Sequence, residues 1–155
     1  MRAQIVTMVA SFALSTLACQ PMKNFKMTFY GFPDNSPPGA EVRYNCGGRN
    51  NKAAGVGTYD NPLTMAAQAG RFATCEIVYS PYLKKYLRME DSCTNCSGDW
   101  VDVWLGSTTS DGGSALLSCQ KTLTGADSAS HAIIQSPPNN LEVNCKQIYV
   151  LHDED

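Results

Sequence analysis

The 155-residue chain carries 12 Lys and Arg against 14 Asp and Glu, a formal charge of −2, with 43% apolar residues and seven cysteines. This balance, with no basic run, argues against nucleic acid as a partner, because phosphate binding needs clustered Lys and Arg. No stretch after residue 20 is apolar enough to enter a membrane.

Residues 1–19 read as a secretory signal peptide: a basic start at Arg2, an apolar run from Ile5 to Leu17, and small residues near Ala18. The Ser-Thr-Leu-Ala-Cys sequence also resembles a bacterial lipoprotein cleavage site with Cys19 as lipid acceptor, although Thr16 stands where Leu is usual. Residues 20–155, about 136 residues, then form one domain large enough to bury a single core. No repeat or low-complexity linker divides it.

Short strands between turns follow. Strands are expected at Lys26 to Tyr30, Thr64 to Ala67, Cys75 to Tyr79, Tyr86 to Glu90, Val101 to Leu105 and Ala132 to Gln135, with Leu141 to Leu151 as the last strands. Gly31 to Gly39 is a loop held open by three prolines and two glycines, and Asn45 to Gly57 is a second loop rich in Gly and Asn. Turns are expected at Asp111-Gly112-Gly113 and Pro137 to Asn140, and Ala115 to Leu117 reads as at most a single helical turn. The pattern gives an all-β barrel or sandwich.

Cys46, Cys75, Cys93, Cys96, Cys119 and Cys145 form an even set in an exported chain, which reads as about three disulfides. Six cysteines allow fifteen pairings; pairing Cys46 with Cys75, Cys93 with Cys96 and Cys119 with Cys145 would close local units. The Cys-x-x-Cys at 93 and 96 lacks the βαβ context of a redox motif and a second ligand pair for zinc. A structural bridge is therefore expected, with no metal and no cofactor. It places a cysteine in the middle of the Asn95-Cys96-Ser97 sequon.

The chemistry rests on acids. His131 and His152 are the sole histidines, both in the last quarter of the chain, and the cysteines are expected to be paired, so a Ser-His-Asp or Cys-His site is hard to build. Asp34, Asp60, Asp91 and Asp102 are the carboxylates that turns and the charged tail do not readily explain. Val101 and Val103 flank Asp102 in a period of two, so the carboxylate faces away from the side the valines choose. Glycan cleavage needs one carboxyl kept protonated and often a second as base or nucleophile. Tyr30, Tyr59, Trp100 and Trp104 lie near these acids and offer either core packing or faces for sugar rings; Trp104 reads as core.

Three segments resemble the double-psi β-barrel superfamily, which includes expansins, family 45 endoglucanases, rare lipoprotein A-type proteins and membrane-bound lytic transglycosylases. They are Thr28-Phe29-Tyr30-Gly31, Pro62-Leu63-Thr64-Met65-Ala66, and Glu90-Asp91-Ser92-Cys93 followed by Val101-Asp102-Val103. The runs TFYGFPDNSPPG, YNCGG, GTYDNPLTMA and CEIVYSPYLKKYLRMEDSC are similar, more narrowly, to secreted fungal barrel proteins associated with muramidase activity.

The resemblance implies a six-stranded double-psi barrel with added loops, secreted and monomeric. It implies action on cell-wall polysaccharide, peptidoglycan before cellulose or another β-glucan, at β-1,4 linkages. Asp102 takes the place of the catalytic acid with Asp91 beside it, and Thr28 and Tyr30 line the cleft. Family 45 endoglucanases carry their base just after the first-strand aromatic, where this chain has Gly31 and Phe32, as in expansins. Asp60, after Tyr59, is then the first choice for a base and Asp34 the second; a lytic mechanism would need Asp102 alone. The competing expectation is a non-catalytic, expansin-like wall-binding protein or secreted effector.

Overall fold

A computed structural model describes residues 20–105, 112–127 and 130–148. The expected signal peptide, Cys19, Asp111, the end of the expected last strand and the His152 tail lie outside the described residues.

Six strands form the fold: β1 (Gln20–Tyr30), β2 (Leu63–Ala67), β3 (Ile77–Ser80), β4 (Lys85–Ser92), β5 (Trp100–Trp104) and β6 (Ser130–Gln135). They close into a barrel in the order β1-β5-β2-β4-β3-β6. Two pairs are parallel, β1 with β5 and β2 with β4; the other four pairings are antiparallel. Exchanging β1–β3 with β4–β6 returns the same cyclic order. The two halves of the chain are therefore topologically equivalent, and the antiparallel β2/β5 contact joins the two parallel pairs.

The period of two decides what faces inward. Phe25, Met27 and Phe29 on β1 are buried and stand beside Val101 and Val103 of β5, with Met27 registered on Val101 and Phe29 on Val103. Met65, Val78, Leu87, Met89 and Ile133 join them in the core. Burying each such large apolar side chain stabilises the fold by roughly 1.5–3 kcal/mol. Trp104 is a core residue, as expected, although it shares the parity of Asp102 rather than of the valines: it is buried against Tyr30.

The long Gly/Asn-rich loop is tied to the barrel by a buried charge cluster. Glu90 on β4 is 2% exposed and receives Arg49 at 3.0 Å and Arg88 at 2.5 Å, together with the Thr64 hydroxyl. Arg49 also donates to Asn61 Oδ1 and to the Pro62 carbonyl, each at 2.7 Å. Each charge has a partner, as burial demands. A Cys46–Cys75 disulfide holds the same loop from its other side, and Cys93–Cys96 clips the end of β4.

Three expectations are corrected. Residues 113–127 form a 15-residue helix, α1 (Gly113–Asp127), rather than one turn. Leu116, buried, with Gln120 and Thr124 at successive spacings of four makes the stripe that faces the barrel. Leu116, Cys119 and Leu123 carry a short apolar period, with Leu123 packed against the core, but the polar residues between them dilute it. Residues 141–148 are not strand. Side chains occupy their carbonyls instead: Lys85 Nζ donates to Asn144 and Lys146, and the Tyr79 hydroxyl donates to Glu142. The third disulfide is replaced by two free thiols, Cys119, half-buried on α1, and exposed Cys145 in the tail. Helix α1 packs on β1, whereas Lys84 and Lys85 tie the tail to β4, three places away around the barrel.

Candidate functional site

Strand register places the acids in one line across the barrel. On β5, Asp102 is registered with Thr28 of β1 on one side and Ala66 of β2 on the other. Ala66 is in turn registered with Asp91 of β4. The β2/β4 register slips by one between Met65 and Ala66, so that Asp91, not Glu90, stands against Ala66. Such a bulge re-aims a side chain, here turning Asp91 to the groove and leaving Glu90 to the buried arginines. Ala66, small and flanked by two acids, forms the floor between them.

Above this line runs a groove of about 600 Å³ whose walls include Tyr30, Asp34, Glu41, Asp91, Trp100 and Asp102. A second hollow of about 340 Å³ lies beyond it, against Phe29, Gln120, Lys121 and Thr124. Asp34, Trp100 and Asp102 line both. The acid at the centre is thus reachable from two lobes.

Hydrogen bonds fix the orientation of Asp102. Trp100 Nε1 donates to Thr28 Oγ1 at 2.8 Å, and Thr28 Oγ1 donates to Asp102 Oδ1 at 2.7 Å. The indole N–H takes one lone pair of the Thr28 hydroxyl, whose single hydrogen is directed to Asp102 Oδ1. Oδ1 is the acceptor, and a proton on the carboxyl belongs on Oδ2. Burial pushes the Asp102 carboxyl up to about 6. The Thr28 bond and Lys26 favour the charged form, while the nearby negative charges of Asp34 and Asp91 disfavour it.

Burial also raises Asp91, against the backbone N–H groups of Ser92 at 2.8 Å and Arg43 at 3.1 Å that hold Oδ1. Tyr30 packs edge-on to Trp104 at 5.2 Å, and its buried hydroxyl faces Asp91 without a well-formed hydrogen bond. Burial first, then the acids around it, holds that phenol well above its usual range. It is a neutral donor at the groove wall. Trp100 sits under Lys26, whose Nζ lies 3.5 Å from the ring centroid.

Of the expected site residues, Thr28, Tyr30, Asp34, Asp91, Trp100 and Asp102 meet at this groove. Asp60 and Tyr59 do not. Both precede the N-terminal end of β2, whereas Ala66, the neighbour of Asp102, is near the other end. Tyr59 packs edge-on to Tyr86 at 5.3 Å, and Asp60 is an exposed loop residue. Asp34 is brought in by a 3-10 turn (Phe32–Asp34) directly after β1, where Gly31 accepts the backbone N–H of Asp34 at 3.2 Å.

Residues 22–155 match the DDB_G0273701 N-terminal domain family. The chain belongs to that family. A curated relative, an uncharacterized protein of Dictyostelium discoideum, is 38% identical over 106 residues, which cover 64% of this chain and 45% of that protein. The match thus spans less than half of the relative's length. No solved structure matches the chain.

Gln120, Lys121 and Thr124 of α1 are site residues that sequence reasoning missed, because a mostly polar helical stripe looks like solvent-facing surface. Among the described residues, no group of three or more His, Cys, Asp or Glu is placed to hold a metal ion, and no helix is long and apolar enough to cross a membrane.

Proposed function

We propose that this member of the family is a secreted protein of the double-psi barrel type that hydrolyses β-1,4 linkages of cell-wall polysaccharide, peptidoglycan in preference to cellulose. One observation carries the reading: Asp102, half-buried, oriented through one oxygen by Thr28 and pushed up to about 6, stands where two lobes of an open groove meet. A carboxyl that keeps its proton near its working pH suits donation to a leaving glycosidic oxygen.

The strand order that survives exchange of the halves, with its two parallel pairs, supports the double-psi reading. Two disulfides support export, because such bridges persist in oxidising compartments. Trp100, shared by both lobes, offers an aromatic face to a sugar ring. Asp34 lines the groove with Asp102 and is its leading source of negative charge, which makes it the better base than Asp60. In the reaction Asp102 gives its proton to the glycosidic oxygen as the bond to the anomeric carbon breaks. Water forms the new bond there and passes a proton to Asp34.

A second reading, a wall-binding protein without hydrolysis, is favoured by Gly31 at the place where hydrolytic relatives of the superfamily carry their base. Turbidity loss and reducing-end release separate the two, measured on bacterial cell walls and on soluble cellulose. Release from walls is expected. Binding to either polymer with no release from both would overturn hydrolysis and leave the second reading.

A further inference from the structure

We infer that helix α1 completes the catalytic groove, with Gln120 as the positioning residue that holds the Asp34 carboxylate opposite Asp102. This rests on the hydrolytic reading above. It starts from a close approach: a Cβ placed on Gly31 would lie 2.6 Å from Leu116 Cδ2, so glycine here lets Leu116 seat under the end of β1. Leu116 is 1% exposed.

Helical geometry does the rest. Gln120 is one turn after Leu116 and Thr124 one turn after that, so all three share a face. Thr124 Oγ1 accepts the Phe29 backbone N–H at 3.3 Å, and Gln120 Nε2 donates to Asp34 Oδ2. The helix is thus fastened to β1 at one end of the stripe and to the 3-10 turn in the middle. The Gln120 amide presents its nitrogen to Asp34 because an ionised carboxylate can only accept.

Asp34 needs such a hold. It is an exposed residue on a three-residue turn, with no neighbour on its own strand to fix its side chain. Asn35 braces the turn from behind by donating to the Gly39 and Glu41 carbonyls at 3.1 and 3.0 Å, which fixes the backbone and not the carboxylate. The Gln120 bond leaves Asp34 Oδ1 to take the proton of the attacking water. Gly31, at the place where family 45 endoglucanases carry their base, thereby has a compensating role: it admits the helix that fixes an acid three residues later.

The test measures wall hydrolysis by wild type, Gln120→Ala, Gln120→Met, Asp34→Asn and the Asp34→Asn/Gln120→Ala double variant. A misplaced reacting group costs rate more than binding, so kcat should fall about tenfold in both Gln120 variants. KM and melting temperature should stay near wild-type values. On the Asp34→Asn background, Gln120→Ala should produce no further loss, because the residue acts through Asp34. An active wild type with unchanged kcat in both Gln120 variants overturns the inference alone. An equal additional loss on the Asp34→Asn background does the same. A wild type inactive on every wall polymer overturns the hydrolytic function, and the positioning role with it.

Discussion

Thr28 and Asp102, registered partners on the parallel strands β1 and β5, are joined by a 2.7 Å hydrogen bond, and Trp100 donates to the same hydroxyl. Burial around that pair has a thermodynamic consequence. The folded state holds the Asp102 proton up to a pH of about 6, against an ordinary value of 3.8. The folded protein therefore binds more protons than the unfolded chain between these values, and stability falls as pH rises through them. The contribution is fully present below about pH 4 and is lost above 6, on the order of 3 kcal/mol. Asp102→Asn removes the titration, so it should be more stable than wild type at pH 8 and closely matched at pH 4. Urea unfolding at the two pH values measures this; a variant less stable than wild type at pH 8 would contradict it.

Trp100 has two separable roles. Its ring lines both lobes, and its N–H sets the Thr28 hydroxyl. Trp100→Ala should weaken binding of wall oligosaccharides by roughly 2- to 10-fold, the range for losing an aromatic contact of about 0.5–1.5 kcal/mol. Trp100→Phe should retain most of that affinity and lose rate, because Thr28 is then free to turn. Calorimetric affinities set beside kcat for the two variants separate the roles.

The Glu90 cluster predicts a stability effect remote from the chemistry. Glu90→Gln leaves Arg49 and Arg88, 16% and 13% exposed, facing a neutral amide. Removing one member of a buried ion pair costs about 3–5 kcal/mol, less here for the partial exposure of the arginines. A destabilisation of about 2–4 kcal/mol by denaturant unfolding is expected. Arg49 also holds the Pro62 carbonyl, so loop 45–57 should become the first segment cut by protease.

Cysteine labelling tests the covalent framework. With Cys46–Cys75 and Cys93–Cys96 closed, exposed Cys145 should react with a thiol reagent without denaturant. Cys119, half-buried and with its thiol pushed up by burial, should react more slowly. A bridge between these two found by peptide mapping would contradict the arrangement. Replacing Cys46 and Cys75 by Ala opens a span of 29 residues and should cost about 3–4 kcal/mol.

The barrel was legible where a period of two met a buried face. Val101 and Val103 inward with Asp102 turned away follow from alternation alone, whereas Trp104, on the parity of Asp102, is buried because it is a large aromatic packed on Tyr30. The Asp91 and Asp102 neighbourhood was legible as two acids on adjacent segments, but their separation by Ala66 depends on a bulge in β4 that only register reveals. The sequence ranked Asp60 above Asp34 as a base, because Asp60 directly follows Tyr59, and the structure places Asp34 and not Asp60 at the groove. The turn after β1 folds Asp34 back over the groove, whereas Asp60 leads into the far end of β2. Helix α1 was missed because the short apolar period of Leu116, Cys119 and Leu123 is diluted by Ser118, Gln120, Thr122 and Thr124. The Arg49 to Glu90 pairing was hidden because 41 residues separate its members.

Reducing-end release from bacterial cell walls by wild type and Asp102→Asn tests the proposed role of Asp102 as general acid directly. Release by wild type should decline as pH rises through about 6, and a folded Asp102→Asn should lose about a hundredfold or more. Equal release by the two proteins would contradict that role.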